Sequence, residues 1–181
     1  MLDSINNVTV YHGSYAVVEH PNLKFCDTFA DFGKGFYLTT DKNQAIRFAK
    51  SVGKRHSQNY GIVNVYMLSN FDGLDVYEFM DVSADWLNCI AGFRNRRYYN
   101  LCKAYRKYGV ILGKVADDDT SLTLNNYVTA GYGEIGSEKA VKTAIELLKP
   151  DKLKDQIALR TKKAISRIQF LKSESVRVNG H

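Results

Sequence analysis

Apolar and polar positions alternate in VTVYHG, with Val8, Val10 and His12 on one parity and Thr9 and Tyr11 on the other. This period of two predicts a short strand running into a glycine turn, so the residues at its C-terminal end are placed to face a cleft. The pattern breaks from Ser14 to Lys34, a stretch with Pro21 and Gly33 that is longer than an ordinary connection and reads as a functional or mobile loop. GFYLTT predicts a second strand. Asp41 with Gln44 three residues on resembles a capping box, and Ala45, Ile46, Phe48, Ala49 and Val52 follow at helical spacing, so 41–52 reads as a helix. GIVNVYML and LDVYEF then alternate as strands.

Residues 81–93 and 96–107 carry helical patterns, and YGVILGKV is a short buried strand. TLNNYVTAG and SEKAVKTAIELLKP read as helices, the second closed by Pro150. DQIALRT predicts a strand, while KKAISRIQFLKSESVRV begins as a helix or turn and leaves its ending open. This order is neither a βαβ series nor a run of strands alone, so the fold class is α+β with a mainly antiparallel or split sheet. No repeat or linker divides the 181 residues, which read as one unit. The glycines of DFGKGFY do not make a Rossmann or P-loop turn, because they lead into a strand and not a helix N-terminus.

Composition adds limits. Hydrophobic residues at 45% and charged residues at 24% are ordinary for a folded domain, and 12 Tyr with 9 Phe supply many flat surfaces for packing or stacking. The N-terminus lacks a signal-peptide pattern and no apolar run reaches the ~20 residues that span a bilayer, so a cytoplasmic protein without a membrane partner is expected. Cys26, Cys89 and Cys102 form no CxxC pattern, and His20, His56 and His181 lack ligand spacing, so neither disulfides nor a metal is expected. The net charge of +6 favours acidic partners.

Three separated segments carry the candidate chemistry: YHGS at 11–14, FGKGFYLTTDKNQAIRFA at 32–49 and DQIALRT at 155–161. Together they resemble the three motifs of ADP-ribosyltransferases of the diphtheria-toxin and poly(ADP-ribose) polymerase branch. Through VSADWLNCIAGFRN, YGVILGKVADD and DQIALRTKKAI the chain also resembles a bacterial family known as a domain of unknown function and regarded as distant ADP-ribosyltransferases. The resemblance implies a split antiparallel sheet with surrounding helices around a cleft for NAD⁺. It implies that His12 hydrogen-bonds a ribose hydroxyl, that the Gly13 backbone holds the nicotinamide carboxamide with Ser14 beside it, and that Tyr37 packs on the nicotinamide ring. Gly35 belongs to the same tyrosine motif. Phe48 falls where a second aromatic closes the opposite face, although its helical face also suits a core residue.

Gln156 stands where the polymerising enzymes carry glutamate. An amide oxygen accepts a hydroxyl hydrogen bond but takes no proton, so transfer of a single ADP-ribose is expected rather than chain extension. Asp155 points to the other face of its strand. Residues 23–34 match the loop over the donor site, with Asp31 and Phe32 as contacts for donor or acceptor, or are simply a surface loop. Glu134, Asp117, Asp118 and Asp119 are acids that could activate an acceptor. RNRRYYNLCKAYRK interleaves basic and aromatic residues, and Arg94, Arg96, Arg97 and Lys103 make it a nucleic-acid candidate or an amphipathic surface helix.

The expected activity is NAD⁺-dependent mono-ADP-ribosylation of a protein or nucleic-acid acceptor. A bacterial toxin or defence role, with an antitoxin-like partner, is implied by resemblance alone. The alternatives are a NAD⁺ glycohydrolase using the same cleft and a non-catalytic binding module for nucleic acid or protein.

Overall fold

The computed structural model describes residues 5–115, 118–149 and 153–178, with backbone alone at 118–120. Asp117, Pro150 and His181 lie outside the described residues, as do the side chains of Asp118 and Asp119. The elements are β1 (Val8–Ser14), β2 (Phe36–Leu38), α1 (Lys42–Arg55), β3 (Tyr60–Leu68), β4 (Val76–Glu78), α2 (Ala84–Arg94), α3 (Tyr99–Cys102), β5 (Val110–Val115), α4 (Asp118–Val128), α5 (Glu138–Leu148), β6 (Lys154–Leu159), α6 (Lys162–Ile165) and β7 (Ile168–Arg177). The mixture is α+β, as the pattern of elements predicts.

Two sheets form. The first has the order β1-β3-β7 and is antiparallel; the second has the order β2-β6-β5-β4, with β4 and β5 parallel. An isolated antiparallel bridge between Tyr11 and Thr39 joins β1 to the end of β2. Strand alternation decides which face each residue serves. Val110 and Leu112 of β5 and Ile157 and Leu159 of β6 pack toward the first sheet, with Val10, Phe36, Leu38, Tyr66 and Leu68. Ile111 and Ala158 face the other way, into a core with Phe32, Trp86, Leu87, Ile90, Tyr127, Ala140 and Leu148 from the loop and helices. The second sheet is thus covered on both faces, and α1 packs Ala45 and Ala49 against Val63 of the first.

Caps set the helix starts. The Asp41 carboxylate accepts from the N–H groups of Asn43 and Gln44 at 2.8 and 3.2 Å. The Gln44 side chain does not reach back, as a full capping box requires; it accepts instead from the Thr39 hydroxyl at 2.8 Å. Ser83 caps α2, which begins three residues later than its pattern suggests.

The continuous helix expected over 96–107 is a correction. Asn95 is extended, accepts from the Arg97 N–H at 3.0 Å and donates to the Val128 carbonyl at 3.4 Å, so it both ends α2 and opens a fresh turn. Residues 96–105 follow as two 3-10 turns flanking α3. The polar stripe nevertheless stays outside: Arg96, Arg97, Asn100, Lys103 and Lys107 are exposed, while Cys102 is buried.

The FGKG turn shows why its glycines stand where they do. Gly33 has φ +74°, and a Cβ there would lie 2.6 Å from the Phe93 ring. Gly33→Ala should therefore cost roughly 2–4 kcal/mol, from the left-handed backbone and the overpacked ring together. Urea unfolding checks this; a loss below about 0.5 kcal/mol would mean that the turn relaxes freely.

Candidate functional site

Where β1 and β2 diverge beyond the Tyr11–Thr39 bridge, a cleft of about 1340 Å³ opens. His12, Gly13, Ser14, Asp31, Gly35, Tyr37, Phe48, Arg94 and Gln156 all line it. Three segments far apart in sequence therefore meet at one place. Tyr37 pairs with Ala158 across the β2–β6 ladder, so Gln156, two residues away on β6, projects from the same face diagonally beside it.

His12 is fixed by its partners. Its Nδ1 lies 2.8 Å from the Tyr37 carbonyl oxygen, which can only accept, so Nδ1 carries the proton. The ring also packs on Phe36 with centroids 4.3 Å apart. Burial pulls its pKa down from 6.5 to about 4, against the opposing effect of the Tyr37 carbonyl. At neutral pH the imidazole is uncharged, so Nε2 carries a lone pair and no proton.

Gly13 answers to two constraints. An added Cβ would lie 2.5 Å from the Ala45 carbonyl and 2.7 Å from the Ala49 nitrogen, so α1 approaches β1 closely only over a glycine. The in-plane direction matters as well. Tyr11 exchanges both backbone bonds with Thr39, at 2.8 and 3.0 Å, and the backbone groups of Gly13, two residues on, share that edge past the bridge. They are the first on this edge to face the cleft instead of β2. Ser14 is buried next to them and its Oγ accepts from the Ala16 N–H at 3.3 Å.

The Tyr37 hydroxyl donates to the Gly33 carbonyl at 2.6 Å and accepts from the Phe32 N–H at 3.0 Å. Burial, with Asp31 nearby, holds its pKa well above the usual tyrosine range, so it stays protonated. The hydroxyl is thereby committed to bracing the FGKG turn, and Tyr37 offers the cleft its ring rather than an acid.

Asp31 is the charged group of the floor and is 8% exposed. Arg94 grips one oxygen through Nε at 2.7 Å and also through Nη2, while its Nη1 donates to Asn125 Oδ1 at 3.0 Å. The other oxygen accepts from Gln156 Nε2 at 3.2 Å. A carboxylate only accepts, so this contact fixes the amide orientation and leaves Gln156 Oε1 as the free lone-pair end. Asp155 turns to the opposite face and pairs with Lys114 at 2.9 Å.

The remaining candidates fall in different places. Phe32 is fully buried, stacks on Phe79 at 5.8 Å and is a core element rather than part of the cleft lining. Phe48 is 53% exposed on the cleft wall, and the core position on α1 belongs to Ala45 and Ala49. Arg94 is drawn into the cleft by Asp31, away from the exposed Arg96, Arg97 and Lys103. Glu134 is exposed and does not line the cleft. Asn125 was not legible beforehand, because only the packing of α4 against α2 brings it to Arg94. Among the described residues, no three His, Cys, Asp or Glu side chains form a metal site, and no helix is long and apolar enough to cross a membrane.

Two outcomes follow. The folded imidazole titrates near 4 and the unfolded one near 6.5, so between these values the unfolded chain binds the extra proton and stability falls as pH is lowered. The fall amounts to roughly 3 kcal/mol, and chemical denaturation across that window should show a shallower slope in His12→Gln. An unchanged slope would contradict the neutral imidazole.

Gln156→Glu would set a second carboxylate against Asp31 and should cost roughly 2–4 kcal/mol at neutral pH. In an Asp31→Asn background the same change should cost at least about 1 kcal/mol less. Additive effects in that double-mutant cycle would show that the two side chains do not meet.

No curated protein and no solved structure matches the chain. A family profile does, over residues 8–170, from the first residue of β1 into β7. The match takes in each cleft residue discussed above, and it agrees with the expected kinship to a family known as a domain of unknown function. This chain belongs to that family, described as Protein of unknown function (DUF3990).

Proposed function

We propose that the protein binds NAD⁺ in this cleft, breaks its nicotinamide–ribose bond and transfers a single ADP-ribose to an acceptor. The observation that carries the reading is the convergence of His12, the free backbone edge at Gly13, Tyr37 and the Gln156 amide oxygen on one cleft. Their polarity suits the ligand. Neutral His12 Nε2 and Gln156 Oε1 accept hydrogen bonds from hydroxyls, as two riboses require, and a backbone N–H with its neighbouring C=O matches a carboxamide. Tyr37 and Phe48 supply flat apolar surfaces for the nicotinamide ring.

In the reaction the C1′–nitrogen bond breaks, its electron pair leaves with neutral nicotinamide, and positive charge develops on the ribose. Gln156 would hold the 2′-hydroxyl and turn its amide dipole toward that charge. It takes up no proton, and Asp31 is occupied by Arg94 and Gln156 rather than free to act as a base. A site without a free carboxylate suits one transfer to a nucleophile that is already reactive, not the activation of ribose hydroxyls for chain growth.

NAD⁺ labelled in its adenylate half, incubated with the protein and cell extract, should yield free nicotinamide and labelled macromolecule. Tyr37→Ala should lower the rate by about tenfold or more through the lost stacking surface, whereas Tyr37→Phe keeps the ring and should lose less. Nicotinamide without macromolecular label would assign a glycohydrolase instead. Neither NAD⁺ binding nor nicotinamide release would end the proposal and leave a binding module.

A further inference from the structure

We infer that the outer part of the cleft is a docking surface for single-stranded nucleic acid, and that this strand is the ADP-ribose acceptor; the second half of the inference rests on the NAD⁺ reading above. The starting observation is where large apolar side chains are left in water. Tyr15, Val17, Phe25 and Phe29 are 47%, 50%, 89% and 44% exposed, and all four line this cleft. Scattered exposed hydrophobics need no explanation, but a group lining one cleft marks a contact surface.

The wall is built to hold its shape. Asn64, fully buried on β3, accepts from the Val18 N–H at 2.8 Å and donates to the Ala16 carbonyl at 3.1 Å, while the Tyr66 hydroxyl donates to the Val18 carbonyl. Phe25 sits on a 3-10 turn capped by Asn22, and the Asp27 carboxylate accepts from the Phe29 N–H at 2.8 Å. The rings are therefore presented by a fixed backbone.

Cations and a second flat ring stand beside them: Arg96 lies over Phe29 at 5.4 Å, Tyr15 stacks on the His56 ring at 3.9 Å, and Arg55 lines the same cleft. Arg47 lines the cleft with no ion pair among the described residues. Against Arg47 and Arg55 stand Glu19 and Asp27, since Asp31 is already neutralised by Arg94. Alternating aromatic faces and guanidinium groups match a ligand that alternates flat bases with phosphates.

A duplex hides its base faces, so the strand must be single for bases to reach these rings. Space permits it, because about 1340 Å³ exceeds the roughly 300–1,000 Å³ that one small ligand fills, leaving room beside a dinucleotide. Of the basic segment at 94–107, Arg96 reaches this surface through Phe29, whereas Lys103 has no contact with it. In the transfer, a nucleobase nitrogen bonds to C1′ as nicotinamide departs with its electron pair, and the proton that this nitrogen carries goes to water.

The test is fluorescence anisotropy with short labelled RNA and DNA strands and their duplexes, alongside calorimetry of NAD⁺ binding. Single strands should bind, more weakly as salt rises, and more tightly than duplex. The double variants Phe25→Ala/Phe29→Ala and Arg47→Glu/Arg96→Glu should each lose about tenfold or more in strand affinity, and Arg47→Glu/Arg96→Glu should bind NAD⁺ like the parent chain. All four side chains are exposed, and circular dichroism would confirm that the variants fold.

Absence of strand binding, equal binding of duplex, or strand affinity unchanged in both variants would overturn the docking surface. Label from NAD⁺ that ends only on protein would overturn the strand as acceptor. A parent chain that binds strands but not NAD⁺ would instead refute the NAD⁺ reading and leave the docking surface standing, so the two failures are distinguishable.

Discussion

A carboxylate shut away from water must be paired, and the requirement falls here on Asp31. Its partners come from three places: Arg94 at the end of α2, Gln156 on β6, and through Arg94 the Asn125 side chain of α4. One charge thus ties the loop before β2 to the sheet and to two helices. The same contact that satisfies Asp31 turns the Gln156 amide so that its oxygen faces away. Replacing glutamine by glutamate would convert a donor facing a carboxylate into a second carboxylate, so the residue at 156 and the charge at 31 are mutually constrained.

This constraint explains where the sequence was readable and where it was not. Strands of strict alternation, such as β1, β3 and β5, and the helix behind Asp41 follow from local pattern, because burial on one face and capping are local matters. The residues His12, Tyr37 and Gln156 could be picked out by motif, but the motif carried no information on Asp31 as a partner of Arg94. That pair spans 63 positions and links a loop to a helix terminus, for which no periodicity exists. The broken helix at 95 has the same origin: Asn95 bonds to the Val128 carbonyl, and this tertiary contact outweighs the helical preference of 96–107.

Phe32 and Phe48 show the limit of reading exposure from a pattern. Phe32 lies in an irregular loop yet is fully buried, because the FGKG turn swings it under Gly113, where an added Cβ would sit 2.8 Å from its ring. Phe48 occupies the apolar stripe of α1 and yet faces the cleft, because the closest approach to β1 is taken by Ala45 and Ala49 over Gly13. Small residues claim the contact, and the large one is displaced to its edge. An amphipathic pattern tells which side of a helix is apolar, not how near its neighbour comes.

Gly13 cannot by itself separate a packing role from a ligand role, since both demand the absence of a Cβ. The polar side chains of the cleft add a second feature, the choice of which end of each is used within the fold. The His12 imidazole is held neutral with its proton committed to the Tyr37 carbonyl, and the Gln156 amide is held with its nitrogen committed to Asp31. In each case the protein uses the donor end internally and keeps an acceptor end on a residue that lines the cleft. The Tyr37 hydroxyl is spent on Phe32 and Gly33, which leaves only its ring. What remains available is a set of neutral acceptors, one backbone edge and flat apolar faces, a combination suited to a ligand rich in hydroxyls with one amide and an aromatic ring.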